Sequence, residues 1–498
     1  MNEGTMMKTA LALAGLGLLT ACSVGPDYET PTMDIPAVYK EAKAQDGWKQ
    51  GQPLDHMDRG AWWAVYDDPV LDALARQVEV SNQTLKASEA AYRQAVAVIQ
   101  AARASYFPTL TFTPSVTRSQ GSSASSGGSS SSAPISRPPV RTTYDVGGNA
   151  SWDIDVWGRI RRTVEADTAS AQASAGDLAA AKLSAQATLV TSYFQLRVAD
   201  ELKRLLDASA AAYAQSLQIT RNQYASGVAS RADVVQAETQ LKSTQAQAIN
   251  VGVTRAKLEH AIAVLIGKAP AEFAIAPAKL ATNVPEMPSG VPSALLERRP
   301  DIAAAERRVA AANAQIGVQV AAFYPDLTLS GALSYAGTST TGLIQTAHRV
   351  WSVGPALSQI LFDGGLRSAQ VEEARANWEQ STATYRQTVL TAFQQVEDQL
   401  AALDVLKRQA DVQDEAVRSA QEAEKLVLNQ YKAGTVAYTN VVTVQTAALA
   451  NEQNALTILE NRLLASVSLI QALGGGWEAS QLPAEPQDDE FAVKVSAP

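Results

Sequence analysis

The chain alternates between two hydrophobic periods, and the places where the period changes divide it into elements. Residues 366–433 contain neither Gly nor Pro and are dense in Ala, Gln, Glu, Leu and Val. Those are strong helix formers, and the two common breakers are missing. Val389, Phe393, Val396, Leu400, Leu403, Leu406 and Ala410 step by four or three, and Val417, Ala420 and Val427 continue the series. That spacing predicts a coiled-coil seam. At about 1.5 Å per residue the helix would reach roughly 100 Å, so the chain reads as built to span a distance.

Two stretches switch to period two. Leu110, Phe112 and Val116 alternate with Thr109, Thr111, Thr113, Ser115 and Thr117. Further on, Val146, Gly148, Ala150, Trp152, Ile154 and Val156 share one face, opposite Asp145, Gly147, Asn149, Ser151, Asp153 and Asp155. Apolar residues outward and acids inward predict transmembrane barrel strands. Asp145, Asp153 and Asp155 would face a watery lumen, and Trp152 and Trp157 a membrane interface; a soluble sandwich strand is the alternative. Residues 119–136, nearly all Ser, Gly and Ala, predict a flexible exposed loop.

The whole pattern then repeats. Tyr106-Phe107-Pro108 returns as Phe323-Tyr324-Pro325, and Asn222-Gln223-Tyr224-Ala225-Ser226-Gly227 as Asn429-Gln430-Tyr431-Lys432-Ala433-Gly434. Ile266-Gly267 returns as Leu473-Gly474. These returns mark an internal duplication. The first copy, 69–267, holds a helix, strands at 109–118 and 144–157, and helices at 159–224 and 231–266. The second, 299–474, holds a helix, strands at 326–335 and 350–362, and helices at 366–433 and 436–473. A Pro-bearing connector, 268–298, joins them. Residues 22–68 form a wrapping segment, and 475–498 end the chain as an equatorial or disordered tail. Each chain thus supplies four strands, whereas a closed membrane barrel needs about eight or more. Open edges cannot face lipid, so membrane strands here require a barrel shared between subunits.

Composition narrows the function. A net charge of −9 argues against nucleic acid. His56, His260 and His348 are scattered, and no phosphate-cradling glycine loop or helix-borne His pair is present; no active site, metal or cofactor is expected. Residues 1–21 carry Lys8, a short apolar run and Leu19-Thr20-Ala21 before Cys22, the one cysteine of the chain. This reads as a signal peptide too short to span a bilayer, with the start at Met1, Met6 or Met7. The Cys position resembles the bacterial lipobox, which implies diacylglycerol and an N-acyl chain on Cys22. Ser23 in place of Asp favours the outer membrane by the sorting rule of such lipoproteins.

Taken in order, Cys22 with Val24-Gly25-Pro26-Asp27-Tyr28, Trp62-Trp63, Asp155-Val156-Trp157-Gly158-Arg159, Leu296-Glu297-Arg298-Arg299-Pro300-Asp301-Ile302, Ala322-Phe323-Tyr324-Pro325 and Phe362-Asp363-Gly364-Gly365 resemble the TolC-like outer membrane factors of tripartite efflux systems, in their lipoprotein branch. The resemblance implies a mainly α fold with membrane β, a trimeric α/β barrel: three chains of four strands would give a 12-stranded β-barrel above a 12-helix periplasmic tunnel. It implies a homotrimer that passively conducts small molecules such as drugs. Its partners would be a periplasmic adaptor, an inner-membrane pump of the resistance–nodulation–division class and outer-membrane lipid. A duct for polypeptide secretion and a pore-free coiled-coil spacer are the alternatives. Gly227, Val228, Gly434 and Thr435 match adaptor-contacting turns. Asp233 and Tyr431 fall where the family latches its closed end between neighbouring hairpins. Asn440 and Thr443 stand where tunnel-type members carry acids, which leaves closure by Val436 and Tyr438 as an alternative.

Overall fold

The computed structural model describes residues 24–36, 39–41, 61–120, 139–280, 284–285, 298–477 and 481–483. They group into two compact units: one within 1–31, 94–171 and 307–383, the other within 32–93, 172–306 and 384–498. In chain order the elements are α1 (Pro69–Ser81), α2 (Gln83–Ala104), β1 (Thr109–Ser119), β2 (Arg141–Ile154), α3 (Arg159–Ala225) and α4 (Arg231–Leu265). Then come α5 (Pro300–Ala321), β3 (Asp326–Gly337), β4 (Arg349–Ser358), α6 (Leu366–Lys432) and α7 (Tyr438–Ala472). The element order is the same in both copies of the duplication, apart from a break in the first copy's leading helix. Among the described residues no helix is long and apolar enough to cross a membrane.

The first unit carries one antiparallel sheet in the order β1-β2-β3-β4. Its register aligns like with like. Phe112 opposes Gly148, Gly148 opposes Leu333, and Leu333 opposes Trp351; Leu110, Ala150, Gly331 and Val353 form the next row. The other face reads Thr111, Asn149, Ala332 and Ser352, then Asp153 against Thr328. One face is therefore apolar and the other polar across all four strands. The apolar face is bare, with Phe112 72% and Trp351 66% exposed. Gly147 is small for a reason: a Cβ there would collide with Ser334.

Two strands end earlier than period two predicts. β2 stops at Ile154, the last position with a partner on β3, Leu327. Asp155 lies beyond the end of the strand, where it serves the next helix. Its carboxylate accepts from the backbone of Ile160 (3.0 Å) and Arg161 (2.9 Å), capping α3. Trp157 stacks on Tyr324 at 4.8 Å and donates to the Pro325 carbonyl (2.8 Å). β4 ends at Ser358, opposite Asp326, because the chain before Asp326 is already turning out of α5. Asp363 then caps α6, taking Gly365 N (3.0 Å) and the Arg367 guanidinium (2.6 Å). The first copy's leading helix is split in two by Asn82. Its side-chain oxygen caps Thr84 and Leu85, and its amide donates to the Leu265 carbonyl at the end of α4 (2.8 Å).

The second unit packs α1, the middle of α3 and the C-terminal ends of α4 and α7 around Trp63, Leu71, Val78, Leu189, Tyr193, Phe194, Ile262 and Val467. Trp62 donates to Gln186 (3.1 Å), Trp63 to Asp72 (3.0 Å), and Tyr193 to Asp68, which caps α1. On α6 the heptad series is buried in part. Val389 and Val396 are fully buried, while Phe393, Leu400, Leu403 and Ala410 are half-buried.

Candidate functional site

The two helical hairpins, α3–α4 and α6–α7, end in turns of one design. In the first, Gly227 N donates to Tyr224 O (3.0 Å) and Val228 N to Gln223 O (2.9 Å). In the second, Gly434 N donates to Tyr431 O (2.9 Å) and Thr435 N to Gln430 O (3.0 Å). Both glycines are left-handed, at φ +79 and +76, the conformation that ends a helix in this bond pattern. Gly227, Val228, Gly434 and Thr435 are all exposed, with open space around both glycines.

The helices that leave the two turns begin differently. Ser230 and Asp233 form a reciprocal capping box at the start of α4, the Asp233 carboxylate accepting from Ser230 N (2.9 Å) and Oγ (2.7 Å). α7 starts without a side-chain cap on Ala437, and two residues later than its spacing predicts, which leaves Val436 in the turn. The hydroxyl of Tyr431 donates to Thr220 Oγ1 on α3 (3.0 Å). Asp233 and Tyr431 are thus not bonded to each other within the chain: Asp233 caps its own helix, and Tyr431 is bonded to α3.

Behind the turns the four helices close on an apolar cluster: Tyr213 and Leu217 of α3, Val234, Ala237 and Leu241 of α4, Tyr431 of α6, and Tyr438 and Val441 of α7. Tyr431 and Tyr438 meet at 5.3 Å between ring centroids. Tyr438 is fully buried, its hydroxyl has no hydrogen-bond partner among the described residues, and burial pushes that hydroxyl up to about 12. Val436 packs on the edge of the cluster, whereas Asn440 and Thr443 are exposed on α7.

Sequence reasoning missed the polar chain inside this cluster. Tyr213 donates to the Gln445 carbonyl (3.1 Å), Gln445 to Ser216 Oγ (3.2 Å), and Thr220 to the Ser216 carbonyl (2.9 Å). The signal for it was polar Ser216 and Thr220, four residues apart on one helix face and in phase with Tyr213 and Leu217.

A second site lies in the other unit, where the chain enters the described residues. Val24 N donates to Trp157 O (3.2 Å), and Asn313 donates to Pro26 O (3.1 Å). The buried Arg162 reaches Asp27 (2.6 Å) and Glu165 (2.8 Å), and Arg307 lies over the Tyr28 ring at 5.6 Å. Gly25, at φ +98, crosses Gly317 so closely that a Cβ would stand 2.5 Å from its Cα. The strap is held at five consecutive residues, and Cys22 lies just outside the described residues.

Comparison with known proteins agrees with this construction. The family profile described as "Outer membrane efflux protein" matches residues 74–268 and 291–475, one match per copy of the duplication. The chain is 29% identical to the solvent efflux pump outer membrane protein SrpC of Pseudomonas putida, over 96% of this chain and 100% of that one. It is 27% identical to the cation efflux system protein CusC of Escherichia coli, over 96% and 100%. The solved outer-membrane channel OprN superposes with a TM-score of 0.84 at 29% identity, covering 92% of this chain and 100% of that one. The chain belongs to the outer membrane efflux protein family and serves as the outer-membrane component of an efflux pump.

Proposed function

We propose that three copies of this chain form the exit duct of a tripartite pump, conducting small molecules from the periplasm to the exterior. The observation that carries this reading is the four-stranded sheet with one continuous apolar face and two edge strands, β1 and β4, whose outer sides are unpaired among the described residues. Such a sheet is stable in lipid only when neighbouring copies close it into a barrel. The half-buried stripe of α6 and the exposed Val235, Ile249 and Val253 of α4 equally want neighbours. A pore-free spacer has no use for the bare apolar face. The test is single-channel recording on purified chain in planar bilayers, alongside its mass in detergent. A trimer with steady conductance is expected, and a non-conducting monomer refutes the reading. Phe112→Arg, on the lipid face, should weaken membrane assembly by about 2–4 kcal/mol.

In this reading the hairpin ends are the gate and the adaptor contact. Gly227, Val228, Gly434 and Thr435 present the exposed turns to a periplasmic adaptor, and the Tyr431–Tyr438 cluster closes the bore. Asp233 acts through its own helix start: Asp233→Ala and Ser230→Ala should raise resting conductance alike, since both open the same capping box. A rise with Asp233→Ala alone would instead point to a latch across hairpins. Lipid on Cys22, two residues before the docked Val24, would anchor the strap in the outer membrane, which the intact mass of the mature chain reads directly. Cargo choice falls to the inner-membrane pump, since relatives of this fold are named for solvent and for cation efflux.

A further inference from the structure

Behind the two tyrosines the seam between α6 and α7 changes character. Moving away from the turn, Tyr431 faces Tyr438, Val441 is fully buried, and the next layer sets Gln445 of α7 beside Glu424 of α6. One layer further, Gln421 donates to Glu452 (2.5 Å). α3 closes the layer from its other side through Tyr213 and Ser216, which hold the Gln445 carbonyl and side-chain amide. Gln445 is 1% exposed, and its Oε1 is a buried acceptor that receives no hydrogen bond among the described residues. Leaving such an acceptor empty is unfavourable.

The groups around it narrow what can fill it. Tyr213 spends its proton on the Gln445 carbonyl, and Glu452, the carboxylate whose charge acts on Glu424, is already taken up by Gln421. A neutral carboxylic acid carries a proton to give. We propose that Glu424 is a proton-operated lock on the hairpin end. Protonated from solvent, it donates O–H to Gln445 Oε1 and ties α6 to α7, and through Gln445 to Ser216 and Tyr213 of α3. Ionised, it returns that proton to water, stands as a like charge to Glu452, and releases the layer. Burial is the main cause lifting Glu424 above the ordinary 4.5; Glu452 adds to it and the Gln445 amide opposes it. A carboxyl raised in the folded state contributes stability that is complete below 4.5 and lost as pH rises through the raised value. The lock is therefore shut in acid and released toward neutrality. As a control on the duct it rests on the reading that this seam closes the bore.

The test is hydrogen exchange on the full-length protein in detergent, following the peptides that span 421–452 from pH 4.5 to about pH 8, with conductance recorded in parallel. Wild-type protection should fall as pH rises, roughly tenfold for each unit by which Glu424 is displaced. Glu424→Gln keeps an N–H donor at every pH and should hold its protection throughout. Glu452→Gln should move the midpoint down. The same pH dependence in Glu424→Gln as in wild type overturns the lock. Protection that rises with pH overturns it too, because the Gln445 amide would then be turned to hold the ionised carboxylate. Exchange that follows Glu424 while conductance does not leaves the lock standing and removes this seam from closure of the bore.

Discussion

Asp200→Ala is expected to cost about 3–5 kcal/mol and to release the connector from the helices beneath it. Both Asp200 and Arg197 are buried, the Asp200 side chain only 5% exposed. Asp200 accepts from Arg197 (3.2 Å), from Arg255 (2.7 Å) and from Ala278 N (3.3 Å). The two arginines do the rest of the fastening: Arg197 donates to the Ala276 carbonyl (2.8 Å) and Arg255 to the Ile275 carbonyl. Glu259 completes the set by taking Ile275 N (2.6 Å) and Arg255 (3.4 Å). Removing the central carboxylate leaves two guanidinium groups in a partly dry site with one acid between them. That is the costly way to break a buried ion network, unlike replacing the whole of it with apolar groups. The denaturant midpoint reads the loss, and faster protease cleavage within 268–280 reads the loosening. Asp200→Asn keeps the shape without the charge and should fall between wild type and Asp200→Ala. A midpoint unchanged in Asp200→Ala would mean that the connector is held by its apolar contacts alone.

The second large effect separates glycines that look alike in the sequence. Gly474→Ala should cost about 4 kcal/mol or more, whereas Gly434→Ala should cost about 1 kcal/mol. Both are left-handed, at φ +93 and +76. The difference is space. A Cβ on Gly474 would run into the Arg298 carbonyl, a backbone atom that cannot swing away, while one on Gly434 meets nothing. Gly267 repeats the first situation against the Ser81 carbonyl, so the two copies use the same close crossing. Thermal unfolding of both variants in detergent gives the comparison, and equal losses would show that φ rather than crowding sets the cost.

What the sequence made legible was what short periods encode. Phe112, Gly148, Leu333 and Trp351 occupy one face because alternation dictates it, and Val389 and Val396 are buried because the heptad does. The errors lie where a period outruns its partner. Asp155 continues the alternation of β2, yet pairing with β3 ends one position earlier, at Ile154 and Leu327, and a carboxylate beside a helix start becomes a cap. Asn82 sits in an otherwise helical stretch, and only its contact with Leu265 O, distant in the chain, shows why the helix breaks there. The hairpin cluster was half visible. Its glycine turns come from local residues, but the bonds Tyr431–Thr220 and Tyr213–Gln445 join positions more than two hundred residues apart, which no window of sequence reports.

The duplication also left its two joints chemically unequal. At the end of α4 the Leu265 carbonyl is met by the neutral amide of Asn82; at the matching end of α7 the Ala472 carbonyl is met by the Arg299 guanidinium (3.2 Å), itself paired with Asp301 and Gln395. The sheet raises a different matter, that of biogenesis. A solitary protomer has no comfortable destination, since water rejects its bare surface and the bilayer rejects its unsatisfied rims. If copies of the chain close the sheet as proposed, insertion and oligomerisation would happen as one concerted event, with a yield that depends steeply on how many newly exported polypeptides are present together.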